Sequence, residues 1–463
     1  MAPDLLCYNK ERCDHGDRVG RSCGGVVREP LLLCPSFPLP PRVRTIRQMT
    51  YSDADANGTA NPLESIVAAN RGSDPGLRTR KYAAMRETPF AFMRGACQLF
   101  YSSLPKVVTL SGAPPAWLCG DMHVENFGTY KGDNRLTYFD VTDFDESALG
   151  PLTLDLVRFL ASIRVGAAEW GVAADDSDAL IQRSLVAYST ELSLGKPSWI
   201  ERESARGTVK RLFAQVTGRS RSELLGRYTT RKGKRRRLLI DGRHLLPATA
   251  EERAGAEHMM ASVAEAARDD EYFRVIDSAH RIAGIGSIAF PRYVVLVEGR
   301  GSPDRNVLID VKLAHPSAIA TLRAHGQPVW RDDAERIVSV QRHSAVVAPA
   351  FLFSAEWDSY SYCIREMQPL EDRVRLHDWE KQPKKISEAI VLMAAVAAWL
   401  HLRGGGWLGS APIEQLSAFG HETSWREPLT QLARDAAERT QQQYLEFSKA
   451  YDDGYFSEQA PRQ

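Results

Sequence analysis

The ten residues CGDMHVENFG, 119–128, place an acid (Asp121), an imidazole (His123), a second acid (Glu125) and an amide (Asn126) directly after the apolar run Trp117–Cys119. Carboxylates accept protons and hold hard cations, and an amide carbonyl is an oxygen ligand of the kind Mg²⁺ favours. The competing reading is a polar turn without chemistry. Downstream, DFDES (143–147) adds Asp143, Asp145 and Glu146. A hard ion that keeps some of its water and is bridged by phosphates suits Asn126 with Asp143, and Asp145 could share it; otherwise Asp145 and Glu146 are charges on an exposed turn. A third stretch, GIGSIAF (284–290), brings Gly284, Gly286 and Ser287 into a turn whose missing Cβ atoms let backbone N–H groups approach phosphate oxygens. Lys312 follows on the apolar run VLIDVKLA. A lone GxG is common and a lone strand lysine is usually a solvated edge residue; the two together on one hairpin point to phosphate binding.

These residues need a frame. Apolar spacing predicts helix over Arg78–Tyr101, a strand leading into GDMHVEN, a turn at Gly132-Asp133-Asn134 and a strand over LTYFDV. Gly150-Pro151 then opens a helix with Leu152, Leu156, Phe159, Leu160 and Ile163 on one stripe. Asp155, Arg158 and Ser162 form a polar row beside that stripe, and a buried row of this kind must find partners in a neighbouring loop. Helical composition runs on to about Gly218 and returns over Ala254–Arg268. The basic run Arg231–Arg237 lacks interleaved aromatics and reads as a solvated hairpin tip rather than a nucleic-acid surface. From Gly284 the pattern turns to β-structure: GIGSIAF, RYVVLVEG, a turn at RGSPDRN, and VLIDVKLA. A helix over Ala334–Ala345, a strand at SYSYCIREM and a mostly helical tail over Lys385–Lys449 complete the pattern.

Composition excludes little. The 463 residues carry 59 basic and 58 acidic side chains, so net charge argues for neither a nucleic-acid nor a membrane partner. Ile386–Leu402, interrupted by Glu388, is shorter than the roughly 20 residues a bilayer span requires and reads as a buried helix. Seven cysteines without framework spacing suit a reducing, cytoplasmic setting. Four of them, Cys7, Cys13, Cys23 and Cys34, stand near His15, but without a paired CxxC the segment reads as a disordered extension over 1–61 rather than a zinc site.

The glycine turn, hairpin and lysine resemble the small lobe of protein kinases, where the glycine loop covers nucleotide phosphates and a strand lysine holds them. GDMHVEN followed by DFDES looks like the G-D-x-H-x-x-N loop and metal aspartate of aminoglycoside and choline phosphotransferases. The resemblance implies ATP and Mg²⁺: Asp121 as base, Asn126 and Asp143 on metal, and a mainly structural His123. It also implies that Asp155, twelve residues after Asp143, braces the loop backbone. PFAFMRGA, CGDMHVENFG, DFDES…GPLTLDLVRFLASI, GIGSIAFPRYVVLVEGR and VKLA together resemble a bacterial kinase-like family called domain of unknown function 2252, over Pro62–Trp407. Because the catalytic loop precedes the glycine turn, the expected fold is α+β, a two-lobed, circularly permuted kinase-like fold with a mainly helical large lobe and a small antiparallel-sheet lobe. The parts would be 62–275 (large lobe, first part), 276–370 (nucleotide-binding lobe) and 371–463 (large lobe, second part), with AIVLMAAVAAWLHLRG as the helix leading into the catalytic loop. Ala289, Leu313 and Ser339 depart from the family pattern, which leaves Glu335 as the candidate partner of Lys312. The strand ending Glu366-Met367 would offer its backbone to adenine. Arg94 would reach the transferred phosphate or pair with DFDE.

The leading expectation is therefore an ATP- and Mg²⁺-dependent phosphotransferase with an unidentified hydroxyl or amine acceptor. A catalytically weak, kinase-shaped nucleotide-binding or scaffold protein is the alternative. A metal-dependent phosphoesterase is third, because the later GDxxDR and GNH elements of that class are absent.

Overall fold

Prolines and capping side chains cut the helical pattern of Arg78–Tyr101 into pieces. Pro89, which lacks an N–H, starts a new helix, Pro89–Gly95, capped by the Thr88 hydroxyl, between helices Pro75–Glu87 and Cys97–Ser102. The computed structural model describes residues 61–105, 112–322, 326–369, 372–380 and 382–457, all within one compact unit, Tyr51–Gln463. The cysteines and His15 of the first 34 residues, and the extension expected over 1–61 apart from Asn61, lie outside the described residues.

The fold is mixed α+β, with helices and small antiparallel sheets. Strand β1 (Pro115–Leu118) leads into the GDMHVEN loop, β2 (Phe127–Lys131) leaves it and pairs with β3 (Thr137–Val141), and β4 (Ala148–Pro151) returns to β1. Gly150 and Pro151 thus end a strand, and the helix expected there starts two residues later as Thr153–Gly166. The basic run forms the hairpin β5 (Thr229–Lys232) and β6 (Arg235–Leu238). It is not simply solvated: Arg231 and Arg236 pair with Asp304, and Arg237 with Asp277.

Strands β7 (Leu245–Pro247), β8 (Val275–Arg281), β9 (Arg292–Val297), β10 (Val307–Leu313), β11 (Phe353–Trp357) and β12 (Tyr360–Glu366) form a six-stranded antiparallel sheet in the order β11-β12-β10-β9-β8-β7. GIGSIAF is a correction: it is no strand but a 3₁₀ turn, Ile285–Ser287, after β8, because Gly284 takes the left-handed φ of +79° that ends strand geometry. One sheet face, with Val295, Ile309, Val311 and Ile364, packs on helix Ala250–Ala267. Register places Lys312 opposite Arg292 and Asp310 opposite Arg365, so these four share the other face. Helix Asp333–Ser344 stands between β10 and β11 in the chain, close to its expected limits.

The largest apolar core gathers Trp117, Phe159, Ile163, Tyr188, Met393 and Leu400 from β1 and the helices Thr153–Gly166, Ala174–Ser193 and Pro383–Arg403. The last of these is long and apolar enough to cross a membrane by length and composition, but 72% of its most apolar window is buried against the rest of the protein, as a core helix requires.

Candidate functional site

The polar row of helix Thr153–Gly166 finds its partners in the 119–126 loop. Both Asp155 carboxylate oxygens accept backbone N–H bonds, from Cys119 at 2.9 Å and Gly120 at 3.0 Å. Ser162 Oγ accepts from Val124 N–H at 3.2 Å. Arg158, fully buried, donates to Asp121 Oδ1 at 2.5 Å and to the Met93 carbonyl at 2.9 Å. His401 completes the brace from helix Pro383–Arg403: its Nε2 lies 3.3 Å from Asp155 Oδ2, and its Nδ1 meets the Tyr188 hydroxyl at 2.7 Å. Gly120 is indispensable here. Its φ is +88°, and a Cβ would stand 1.9 Å from the Glu146 carbonyl oxygen, so only glycine lets the two acidic loops touch.

Asp121 keeps its second oxygen, Oδ2, 3.9 Å from His123 Nε2. The Nδ1 of His123 accepts the Glu125 N–H at 3.2 Å, which leaves the proton of the neutral ring on Nε2, facing Asp121. Burial pushes this imidazole well below its ordinary range, and Arg94, Arg158 and Arg373 push it further, so it stays neutral. His123 thereby orients the loop and is unsuited to accept a proton from substrate. Arg94 pairs with Glu125 at 2.6 Å rather than with DFDE.

Asn126 ties the two acidic loops together. Its Nδ2 donates to the carbonyls of Asp121 (3.1 Å) and Asp143 (3.2 Å), and its backbone carbonyl accepts from Thr142 N–H at 2.9 Å. Fixing the amide nitrogen this way leaves Oδ1 buried without a hydrogen-bond partner, an acceptor that a hard cation would satisfy. With the neighbouring Asp143 carboxylate the donor set is all oxygen and fits Mg²⁺. Among the described residues no three His, Cys, Asp or Glu side chains gather as a metal cage. An ion held by Asn126 and Asp143 would therefore take its other ligands from water and phosphate, as Mg²⁺ habitually does.

Lys312 meets this centre from the sheet. Its Nζ lies 3.5 Å from Asp143 Oδ1 and forms a closer ion pair with Asp145. Glu335, the expected partner, does not reach it: its carboxylate reaches back to accept the Arg331 N–H at 2.6 Å, ahead of its helix. The physical reason lies one residue on. Arg336 donates to the carbonyls of Asp145 (3.1 Å), Ser147 (2.5 Å) and His315 (2.7 Å), and so clamps the DFDES turn where Asp145 becomes the counter-ion. Burial alone would raise the Asp143 carboxyl, but Lys312, Arg373, Arg365 and Arg292 outweigh it and hold it well below the usual carboxylate range.

Gly284 lies beside Arg292, whose NH1 donates to the Ala283 carbonyl at 3.0 Å. The Gly286 carbonyl accepts from the buried Lys81 at 2.9 Å, and burial brings that ammonium down to about 8. A Cβ on Gly286 would come within 3.3 Å of the Arg94 carbonyl, so FMRGA and the glycine turn are in contact. Ser287 donates its N–H to the Gly284 carbonyl at 2.9 Å and closes the turn.

Glu366 and Met367 are not brought into this centre. The Glu366 N–H is bonded to the Ala350 carbonyl at 2.8 Å and the Met367 N–H to the Leu308 carbonyl at 2.9 Å. The Glu366 side chain pairs with Arg135 at 2.7 Å, and Glu366 and Met367 line a cleft of roughly 830 Å³, open mouth included, on which Lys312 and Asp143 do not border.

Several residues of the centre went unread in the sequence. Arg373, whose NH2 lies 3.5 Å from Asp143 Oδ2, is placed by the bridge between its backbone and Gly128 of β2. Arg281, Arg292 and Arg365 converge on Asp310. The only local signal was period-two alternation, which puts Asp310, Lys312 and their cross-strand partners on one face. The family described as "Uncharacterized protein conserved in bacteria (DUF2252)" matches residues 71–450. No curated protein and no solved structure matches the chain.

Proposed function

The chain belongs to that uncharacterised bacterial family, and from this premise we propose that it is a magnesium-dependent phosphotransferase with a circularly permuted, kinase-like fold. The observation that carries the reading is the meeting of two distant stretches: Lys312 lies 3.5 Å from Asp143, whose carbonyl shares the Asn126 amide with that of Asp121. A phosphate-neutralising cation, a metal-type oxygen pair and a carboxylate base thus stand in one place. The sheet supports the same reading. Its lysine strand is central, a glycine turn joins the two strands to one side, and a helix precedes the strands on the other. Chain order does not oppose it, since contacts rather than the position of the termini define a core.

Asp121 accepts the proton of the attacking hydroxyl or amine at Oδ2, while Arg158 fixes Oδ1 and His123 keeps the loop in register. Asn126 and Asp143 hold Mg²⁺, which when bound neutralises charge on the phosphate oxygens. Lys312 and the turn Gly284–Ser287 hold the donor phosphates. A second reading, a nucleotide-binding protein with weak catalysis, is favoured by Ala289, Leu313 and Ser339, which depart from the pattern the resemblance implies.

The test is calorimetric titration with ATP and MgCl₂, followed by turnover on a panel of hydroxyl and amine acceptors. Mg²⁺-dependent binding with transfer that Asp143→Asn abolishes is the expected result. Binding without transfer to any acceptor supports the second reading, and absence of Mg²⁺-dependent binding by a folded sample overturns both.

A further inference from the structure

Lys81 carries a buried charge to which no step has yet been assigned. It belongs to helix Pro75–Glu87, is 4% exposed, and donates from Nζ to the Gly286 carbonyl at 2.9 Å, with the centre of the Phe290 ring 5.8 Å away. An ammonium has three N–H donors, and this neutral carbonyl takes one. Among the described residues Lys81 forms no ion pair. The charges that act on it at longer range are the Glu146 carboxylate and then Cys97, whose own thiol burial pushes well up. The Glu146 carboxylate is engaged elsewhere: Oε2 accepts the Ala318 N–H at 2.6 Å, and Oε1 lies 4.0 Å from His315 Nδ1. A buried ammonium without a close anion is costly, so the seat of Lys81 calls for one.

Its surroundings join the two halves of the centre. The Gly286 carbonyl belongs to the turn that holds the donor phosphates, and a Cβ on Gly286 would stand 3.3 Å from the carbonyl of Arg94, whose side chain pairs with Glu125 of the base loop at 2.6 Å. Glu146, the carboxylate that acts most on Lys81, also abuts that loop: its carbonyl oxygen is the atom a Cβ on Gly120 would meet at 1.9 Å, one residue before Asp121. Lys312 serves the other side, where Asp143 and Asp145 hold it. A phosphoryl group passing from the glycine turn to an acceptor at Asp121 carries charge on its equatorial oxygens, and Lys81, on a flexible four-carbon stem, has two donors left to meet it.

Resting on the phosphotransferase reading, we infer that Lys81 is a second phosphate-binding lysine, which from its seat on the Gly286 carbonyl donates to the terminal phosphate of a nucleoside triphosphate. In the transfer the acceptor oxygen or nitrogen bonds to phosphorus, the bridging P–O bond breaks with its electron pair leaving on the nucleoside diphosphate, and the acceptor proton passes to Asp121. Lys81 keeps its own proton and neutralises charge on the group in flight.

Only the triphosphate carries the group that Lys81 touches, so ATP and ADP are compared. Calorimetry of the full chain with each nucleotide in saturating MgCl₂ is run on the parent, Lys81→Gln and Lys81→Arg. The Gln amide can still donate to the Gly286 carbonyl but brings no charge. Lys81→Gln should bind ATP roughly tenfold or more weakly and ADP within about threefold of the parent, and Lys81→Arg should regain part of the ATP affinity. An equal loss for both nucleotides, or no loss, leaves Lys81 as packing for the turn, overturns the inference and keeps the phosphotransferase reading standing. Failure of both nucleotides to bind the folded parent removes both. Should Lys81→Gln not fold, the parent alone decides. Burial holds the Lys81 ammonium at about 8, so at about pH 9 it is mostly neutral and gains a proton when a phosphate pairs with it. Calorimetry at that pH in buffers of different ionisation heat should read more proton uptake with ATP than with ADP, and equal uptake overturns the inference.

Discussion

The carboxylate of Asp155 grips the backbone of Gly120 at 3.0 Å, one residue before Asp121, from a helix whose next turn supplies the guanidinium that fixes Asp121 itself. Backbone and side chain of the candidate base are thus positioned by one rigid element, and a site held this way keeps its geometry without substrate.

Gly120→Ala tests how tightly the loops are joined. An added Cβ would collide with the Glu146 carbonyl at 1.9 Å, and at φ +88° the backbone itself resists a side chain. Unfolding in urea should show a loss of about 3 kcal/mol or more. An unchanged midpoint would mean that the two acidic loops are not in contact.

Asp121→Asn keeps shape and the Arg158 contact but removes the proton acceptor. Phosphoryl transfer should fall by about 10²- to 10⁴-fold while Mg²⁺-dependent triphosphate affinity persists. Full turnover in this variant would transfer the role of base elsewhere.

Asn126→Ala deletes the buried, unpartnered Oδ1 and the two bonds that link the carbonyls of Asp121 and Asp143. The Mg²⁺ concentration needed for half-maximal triphosphate binding should rise by roughly tenfold or more. A magnesium titration that superimposes on that of the parent protein would remove Asn126 from the metal.

His123 predicts a pH effect. The folded state holds its pKa well below the ordinary 6.5, so on acidification the unfolded chain takes up the proton first. Stability conferred by the neutral ring is present above about pH 6.5 and declines below it, by up to about 1.4 kcal/mol per pH unit from this group. Denaturant unfolding between about pH 7 and pH 5 should therefore show a steeper loss in the parent than in His123→Gln. Equal slopes would indicate that the imidazole titrates normally.

The local chemistry was legible in the sequence to an unequal degree. The polar row Asp155, Arg158 and Ser162 demanded a neighbouring loop, and the loop it grips is the one with the dense acid, imidazole and amide pattern. Glu335 failed as a partner for Lys312 because helical position alone does not say which side chain meets a strand. Arg336, one residue on, faces the DFDES turn and brings Asp145 to the lysine. The expected strand at GIGSIAF failed because glycines weaken a strand as readily as they shape a turn.

Residue order alone was enough for the periodicities: which stretches alternate as strands, which bury a helical stripe, and where glycine and proline interrupt them. Only tertiary structure decided which charges meet. Arg281, Arg292, Arg365 and Arg373 come from four separate stretches of chain, and their convergence on Asp310 and Asp143 depends on strand register and on one bridge to Gly128. A Coulomb interaction falls with distance in space and not along the chain, so spacing in a sequence carries no record of it until the sheet closes.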